Sequence, residues 1–214
     1  MNAQNTKMKP ILAIDFDGAL LKSRPFDEAH KRWFEFFAIL LKDDSIKKYA
    51  FAENWFEKVD VVMDRYLGNA GRETKNRFAR EIYAMAIIAE ANENDLVKEF
   101  ADYLRKIKNK YTLALITTTP ESSVEPILKK VGCGDLFGII KKSSPEKRPD
   151  KKGLFKEFIK EHGKPEFYIG NGDKDIQTCK ELGIKTISVN WVSKGEFKGD
   201  YDVDNVKDLE KALV

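Results

Sequence analysis

The stretch Ile11-Leu-Ala-Ile-Asp-Phe-Asp-Gly18 joins a run of four apolar residues to two aspartates and a glycine. Four further short apolar runs follow it along the chain. These runs mostly lack polar alternation, which is typical of strands that are covered on both faces of a sheet. The five predicted strands lie at residues 11–14, 112–116, 138–140, 167–169 and 186–189.

Apolar residues at helical spacing separate these runs, and strands that alternate with helices predict a parallel α/β sheet. The connection between the first two runs, residues 15–111, is far longer than one crossover helix requires. Its apolar residues also repeat at helical spacing, and the segment Gly68-Asn-Ala-Gly71 marks a turn between two of the helices. We therefore expect an α/β core with an inserted all-α domain, which leaves the sheet at the strand ends where such folds bind ligands.

Composition and charge exclude several classes of function. The 214 residues include 38 basic and 35 acidic residues, and this balance of net charge +3 argues against a dedicated nucleic-acid-binding protein. Cys133 and Cys179 are the only cysteines, so a disulfide framework and a structural zinc site are not expected. The chain shows neither an apolar signal segment nor a membrane-spanning run, which predicts a cytoplasmic protein.

The two aspartates after the first run, Asp15 and Asp17, are predicted to project beyond the edge of the sheet. Like charges this close repel each other unless a cation or a shared proton intervenes, and a divalent ion bound by oxygen atoms is the natural partner. Gly18 permits a tight turn and the close approach of a ligand to backbone N–H groups. Taken alone, such a pair would be better explained as loop aspartates that cap a helix.

Three other polar segments accompany the pair. Thr117 and Thr118 follow the second run and suit phosphate oxygens, although an isolated threonine cluster before proline is more often a turn. Lys147 and Lys151 belong to a basic segment that opens a helix. Residues 170–175, Gly-Asn-Gly-Asp-Lys-Asp, follow the fourth run. Together with the aspartate pair, these make four polar segments at strand ends or helix starts, which indicates that they form one site.

In order and spacing, these segments resemble the four motifs of the haloacid dehalogenase-like superfamily, and the resemblance covers nearly the whole chain. It implies a Rossmann-like catalytic core at residues 1–22 and 94–214, with a helical cap at residues 23–93. It also implies a phosphatase that acts on a small phosphorylated metabolite, requires Mg²⁺ and forms an aspartyl-phosphate, as a monomer or homodimer without nucleic-acid or membrane partners.

The resemblance also assigns roles. Asp15 would attack phosphorus and Asp17 would serve as general acid and base, while Thr117 and a lysine would hold the phosphoryl oxygens. Lys151 is favoured, because it lies one helical turn before the apolar residues of its helix, and Lys147 is the second choice. Gly18 and Thr118 would contact the substrate. The implied metal ligands are Asp15, Asp17, Asn171 and Asp175.

Two residues depart from the family pattern. Ala19 stands where a threonine is usual, which removes a supporting hydrogen bond. Asn171 stands where these phosphatases present an aspartate, which removes one negative charge from the metal site. Asp175 or Asp173 could compensate. A metal-free dehalogenase carries an asparagine near this position but lacks the second aspartate, so Asp17 favours phosphate chemistry.

The sequence leaves the substrate open. Arg72 resembles a residue of the turn by which capped relatives select their substrates. An equally good interpretation is that Arg72 is a surface arginine that begins a helix. A phosphotransferase or mutase would use the same aspartyl-phosphate intermediate. A phosphate-binding protein with weak or no turnover is the alternative from another class, and Asn171 motivates it.

Overall fold

A computed structural model describes residues 9–196 and 198–213. Its β-strands are β1 (Ile11–Ile14), β2 (Thr112–Pro120), β3 (Ile139–Ser143), β4 (Phe167–Gly170), β5 (Lys185–Val189) and β6 (Tyr201–Val203). Its α-helices are α1 (Arg24–Leu40), α2 (Trp55–Leu67), α3 (Arg72–Glu90), α4 (Lys98–Ile107), α5 (Glu121–Lys130), α6 (Lys151–His162), α7 (Asp173–Glu181) and α8 (Val206–Ala212). Two 3-10 helices cover Asp44–Phe51 and Glu93–Asp95.

The described strands form one parallel sheet in the order β3-β2-β1-β4-β5-β6. Ala13 of β1 lies opposite Ala114 of β2 on one side and Tyr168 of β4 on the other. The chain adds strands on one side of β1 and then crosses to begin β4 on its other side. Parallel α/β sheets bind ligands at such a switch point, beyond the carboxyl ends of the strands.

The α/β class predicted from the apolar runs is confirmed, with differences in individual strands, and the second strand extends to Pro120. The third strand is longer than the predicted run and extends to Ser143. The sixth strand, β6, was not predicted, because two of its three residues are exposed and it shows no apolar run. It pairs with β5 through the backbone at the edge of the sheet.

Both faces of the sheet are covered, which explains why the strands read as continuous apolar runs. Leu12 and Ile14 point to the face that packs against residues such as Phe100 of α4 and Ile127 of α5. Ala13 belongs to the cluster on the other face, which includes Phe155 of α6. Complete burial of one such apolar side chain stabilises the folded state by about 1.5–3 kcal/mol.

The residues from 24 to 90, here called the helical segment, contain α1, α2 and α3 and have an apolar cluster of their own. Phe34 and Phe37 are fully buried in it. The indole of Trp33 donates a hydrogen bond of 2.9 Å to the carbonyl of Ala79 and so joins α1 to α3. The predicted turn is confirmed, since α2 ends at Leu67 and α3 begins at Arg72.

The predicted domain boundaries stay a prediction, and residues 1–8 of the first predicted domain lie outside the described residues. No helix in the described part of the chain is long and apolar enough to span a membrane.

Candidate active site

A cleft of about 650 Å³ lies between the carboxyl edge of the sheet and the helical segment. Because β1 lies between β2 and β4, the residues that follow these three strands meet at its base. Asp15 and Asp17 follow β1, Thr117 lies in the last part of β2, and Asn171 follows β4. The structure thus brings together side chains from all four sequence segments, since Lys151 of α6 also lines the cleft.

Lys151 lies between two carboxylates at the base of the cleft. Its Nζ is 2.6 Å from Asp15 Oδ1 and 3.1 Å from Asp175 Oδ2. Burial by itself would lower the pKa of Lys151, but the two carboxylates outweigh it and raise that pKa. Burial raises the pKa of Asp15, and Lys151 opposes this shift by favouring the ionised carboxylate. The ammonium therefore stays charged and holds Asp15 at the centre of the site.

Asp175 is also held by Tyr168. The Tyr168 hydroxyl donates a hydrogen bond of 3.1 Å to Asp175 Oδ2, the oxygen that also pairs with Lys151. A Cβ at Gly170 would lie 2.6 Å from that hydroxyl, so glycine at this position leaves room for the tyrosine. The fourth sequence segment thereby supplies both a carboxylate and the space that positions it.

Asp17 occupies the turn that follows β1. Burial raises its pKa to about 7, against the effect of a hydrogen bond from Ser23. Its Oδ1 is buried and has no hydrogen-bond partner in the described part of the chain. A carboxyl group that titrates near neutrality and retains an unsatisfied oxygen suits proton transfer to and from a ligand.

Gly18 makes the same turn possible. Its φ of +74° lies in the left-handed region, and its N–H donates a hydrogen bond of 2.8 Å to the carbonyl of Leu21. A Cβ at Gly18 would lie 2.1 Å from Asn171 Nδ2. Gly18 is therefore required for the contact between the first and fourth segments, and its N–H is already engaged within the turn.

The threonine cluster continues β2 rather than following it. The strand runs to Pro120, and its pairing with β3 shifts register between Ile116 and Pro120. The Thr117 hydroxyl is buried beside Thr119, with 2.8 Å between their Oγ1 atoms, and it accepts a hydrogen bond of 3.1 Å from the Thr119 N–H. This irregular strand end fixes the Thr117 hydroxyl beside the acidic turn, and Thr118 also lines the cleft.

The donor groups suit a hard cation such as Mg²⁺, which prefers oxygen ligands. Within the described residues, no group of three or more His, Cys, Asp or Glu side chains could hold a metal ion. A site here would therefore combine carboxylates with neutral oxygens. The Asn171 amide lies against the Asp17–Gly18 turn, and Asn171 Nδ2 donates to Ser193 Oγ at 2.9 Å, which leaves its Oδ1 available.

Three sequence-predicted residues lie away from this base. Arg72 is exposed and pairs with Asp60 at 2.7 Å, and Lys147 is exposed; neither lines the cleft. Asp173, which could compensate for Asn171 by sequence, accepts a hydrogen bond of 3.2 Å from the Glu196 N–H instead.

Arg80 lines the cleft, although its sequence context indicates only a surface charge. Its Nη2 donates a hydrogen bond of 2.9 Å to the Thr118 carbonyl, and burial lowers its pKa to about 10. Its Nε is buried without a partner in the described chain. The sequence signal that could have found it is its helical spacing from Ala84 and Ile87, which follow it by four and seven residues and are buried.

Comparisons with known proteins show the family and the fold of the chain. Residues 12–189 match the model of the family described as haloacid dehalogenase-like hydrolase. A phosphoglycolate phosphatase from Pseudomonas syringae pv. syringae is 31% identical over 101 residues, which are 44% of this chain and 36% of that protein. The chain thus matches about a third of the length of that curated relative.

Solved structures resemble the whole fold. A haloacid dehalogenase-like family hydrolase from Streptococcus pneumoniae aligns with a TM-score of 0.66 and 17% identity, covering 96% of this chain and 99% of that chain. The HAD-hydrolase YfnB from Bacillus subtilis, solved bound to magnesium, aligns with a TM-score of 0.63 and 15% identity over 97% and 99% of the two chains. At these identities the likeness establishes the fold.

Proposed function

The chain belongs to the haloacid dehalogenase-like hydrolase family, and we propose that it is a metal-dependent phosphatase for a small phosphorylated metabolite. The observation that carries the proposal is the position of Lys151 Nζ, 2.6 Å from Asp15 Oδ1, at a strand end shared with Asp17 and Thr117. A nucleophile, a proton donor and two groups that can hold phosphoryl oxygens thus occupy one cleft. The phosphatase name of the Pseudomonas relative supports the same reaction class.

In the first step, a carboxylate oxygen of Asp15 attacks phosphorus and the bond from phosphorus to the ester oxygen breaks. The leaving oxygen takes the proton of Asp17, whose pKa of about 7 allows it to hold a proton at neutral pH. The products of this step are the alcohol and an aspartyl-phosphate on Asp15.

In the second step, the Asp17 carboxylate accepts a proton from water as the water oxygen attacks phosphorus. The bond from phosphorus to Asp15 breaks, the Asp15 carboxylate is restored, and inorganic phosphate leaves. Lys151, Thr117 and Thr118 would hold the phosphoryl oxygens throughout, because charge spread over these oxygens is stabilised mainly by positioned donors.

Mg²⁺, when bound, would neutralise charge on the phosphoryl group, held by Asp15, the Asp17 carbonyl, Asn171 and Asp175. Asp15, Asp175 and Lys151 together carry a net charge of −1, which is less negative than a site with a carboxylate at position 171. We therefore expect a weaker metal affinity than an aspartate at that position would give.

Contacts between the helical segment and the core support a closing role for the segment, which corresponds to the cap of the resemblance. Arg77 pairs with Glu146, and Asn76 Nδ2 donates a hydrogen bond of 2.8 Å to the Glu146 carbonyl. Arg148 of the core pairs with Asp60 of α2. These contacts cover the cleft and would keep water away from the aspartyl-phosphate.

Asn171 also favours a second candidate, a protein that binds a phosphate ligand with little turnover. The intact pair of Asp15 and Asp17 favours the phosphatase. A phosphotransferase or mutase shares the first step and differs in the acceptor that replaces water.

Hydrolysis of 4-nitrophenyl phosphate, with Mg²⁺ and with EDTA, separates these candidates. The proposal expects metal-dependent turnover that is lost in Asp15→Asn, with Asp135→Asn, an exposed aspartate outside the cleft, as the matched control. Turnover equal to that of Asp15→Asn across Mg²⁺, Mn²⁺ and Co²⁺ would contradict the phosphatase. Phosphate binding in that same preparation would then establish the second candidate.

A further inference from the structure

The helical side of the cleft carries an apolar surface that the reaction of the phosphoryl group does not use. We call it the aromatic wall and define it by His30 of α1 and by Trp55, Phe56 and Val59 of α2, all of which line the cleft. The Trp55 and Phe56 rings are stacked, with centroids 3.7 Å apart and an interplanar angle of 25°. The His30 ring lies 4.3 Å from the Trp55 ring.

The aromatic wall differs from the interior of the helical segment in its exposure. Trp33 and Phe34 also border the cleft but are buried in the segment's apolar cluster, whereas Phe56 is 40% exposed and Trp55, which packs partly against that cluster, is half-buried. Their aromatic character suggests bundle core from sequence alone. In the structure Trp55 does pack against that core, and both rings also line the cleft, where a bound molecule would remove their remaining exposed surface from water.

The charged groups on this side of the cleft are engaged within the described chain, although Arg80 Nε has no hydrogen-bond partner there. Asp60 pairs with Arg72 at 2.7 Å and also with Arg148. Arg80 donates to the carbonyl of Thr118, at the phosphate end of the cleft. Burial lowers the pKa of His30, which therefore adds a neutral ring to the wall at pH 7. His30 Nε2 is buried without a hydrogen-bond partner in the described chain, so it could meet a heteroatom of a bound ring.

We propose that the leaving group of the substrate is a flat aromatic ring that stacks on the aromatic wall while its phosphate lies at Asp15 and Lys151. The inference rests on the proposed function and adds the chemical class of the substrate to it. The cleft, at about 650 Å³, is large enough for a phosphate and a leaving group of one or two rings. Stacking against flat rings is tolerant of ring identity, so the wall selects a class of compounds rather than one molecule.

The test compares 2-phenylethyl phosphate with ethyl phosphate, since both release a primary aliphatic alcohol and differ mainly in the ring. The wild-type protein is expected to show a kcat/KM for 2-phenylethyl phosphate about tenfold or more above that for ethyl phosphate. Trp55→Ala and Phe56→Ala should each reduce this ratio, because each removes ring surface from the wall. Phe51→Ala is the matched control, because Phe51 is an aromatic of the same segment that is 77% exposed and lies outside the cleft.

A binding measurement keeps this inference separate from the proposed function. The Asp15→Asn protein is titrated by calorimetry with 2-phenylethylphosphonate and with ethylphosphonate, which resist hydrolysis. Preference for the phenyl compound, reduced by Trp55→Ala, supports the aromatic wall even when no phosphate ester is turned over. Equal affinity for the two phosphonates, or a preference that Trp55→Ala and Phe56→Ala leave unchanged, overturns the inference. Circular dichroism on each variant verifies that it is folded.

Discussion

Replacing Asp17 by asparagine should stabilise the protein at alkaline pH while it abolishes turnover. In the folded chain, burial raises the pKa of Asp17 from 3.8 to about 7, and its Oδ1 has no hydrogen-bond partner in the described residues. The ionised carboxylate is therefore held in an environment that favours its neutral form. Asparagine has nearly the same shape and stays neutral at every pH.

The magnitude follows from the difference between the two pKa values. Each pKa unit is about 1.4 kcal/mol, so a rise from 3.8 to about 7 corresponds to about 4 kcal/mol. Between these values the folded state binds more protons than the unfolded state, so the contribution of Asp17 to stability falls as pH rises and is constant above pH 8. Part of Asp17 stays accessible to solvent, so we expect a measured effect of about 2–4 kcal/mol.

The assay is urea unfolding of wild type and Asp17→Asn at several pH values from 4 to 9, with EDTA present so that metal binding does not contribute. The advantage of the variant over wild type should grow from pH 4 to about pH 8 and then stop growing. Asp135→Asn, at an exposed position, should show no such trend. An Asp17→Asn advantage that is flat across this range would refute the reasoning, since it would mean that the folded chain does not perturb Asp17.

Three further substitutions test other parts of the site. Lys151→Met removes the ammonium between two carboxylates, so we expect a loss of about 10²–10³ in kcat and a lower melting temperature at pH 8; wild-type kinetics would contradict this. Asn171→Asp adds a carboxylate, so Mg²⁺ should half-saturate activity at about tenfold lower concentration, and an unchanged Mg²⁺ titration would argue against position 171 as a ligand. Arg80→Met removes a buried charged donor to the Thr118 carbonyl, so KM should rise about tenfold. Arg65→Met, at an exposed ion pair with Asp43 outside the cleft, should change KM little, and equal effects would contradict a specific role for Arg80.

The sequence determined the α/β class because a strand buried on both faces must be apolar along its length. Apolar runs, helical spacing and the glycines that end helices are local properties, and they predicted five of the six described strands. The same reasoning favoured Lys151 over Lys147, since a lysine in the first turn of α6 has its direction fixed by the apolar face of the helix. β6 was missed, because an edge strand of three residues is held by its backbone and needs no apolar run.

The tertiary structure alone decided which charges meet. Lys151 and Asp15 are 136 positions apart, and only the order of the strands brings them to 2.6 Å. The raised pKa of Asp17 depends on its burial in the folded chain. Arg80 lines the cleft and Arg72 does not, although both belong to α3 and have similar sequence contexts. Burial and pairing depend on residues distant in the chain, and local patterns carry no information about them.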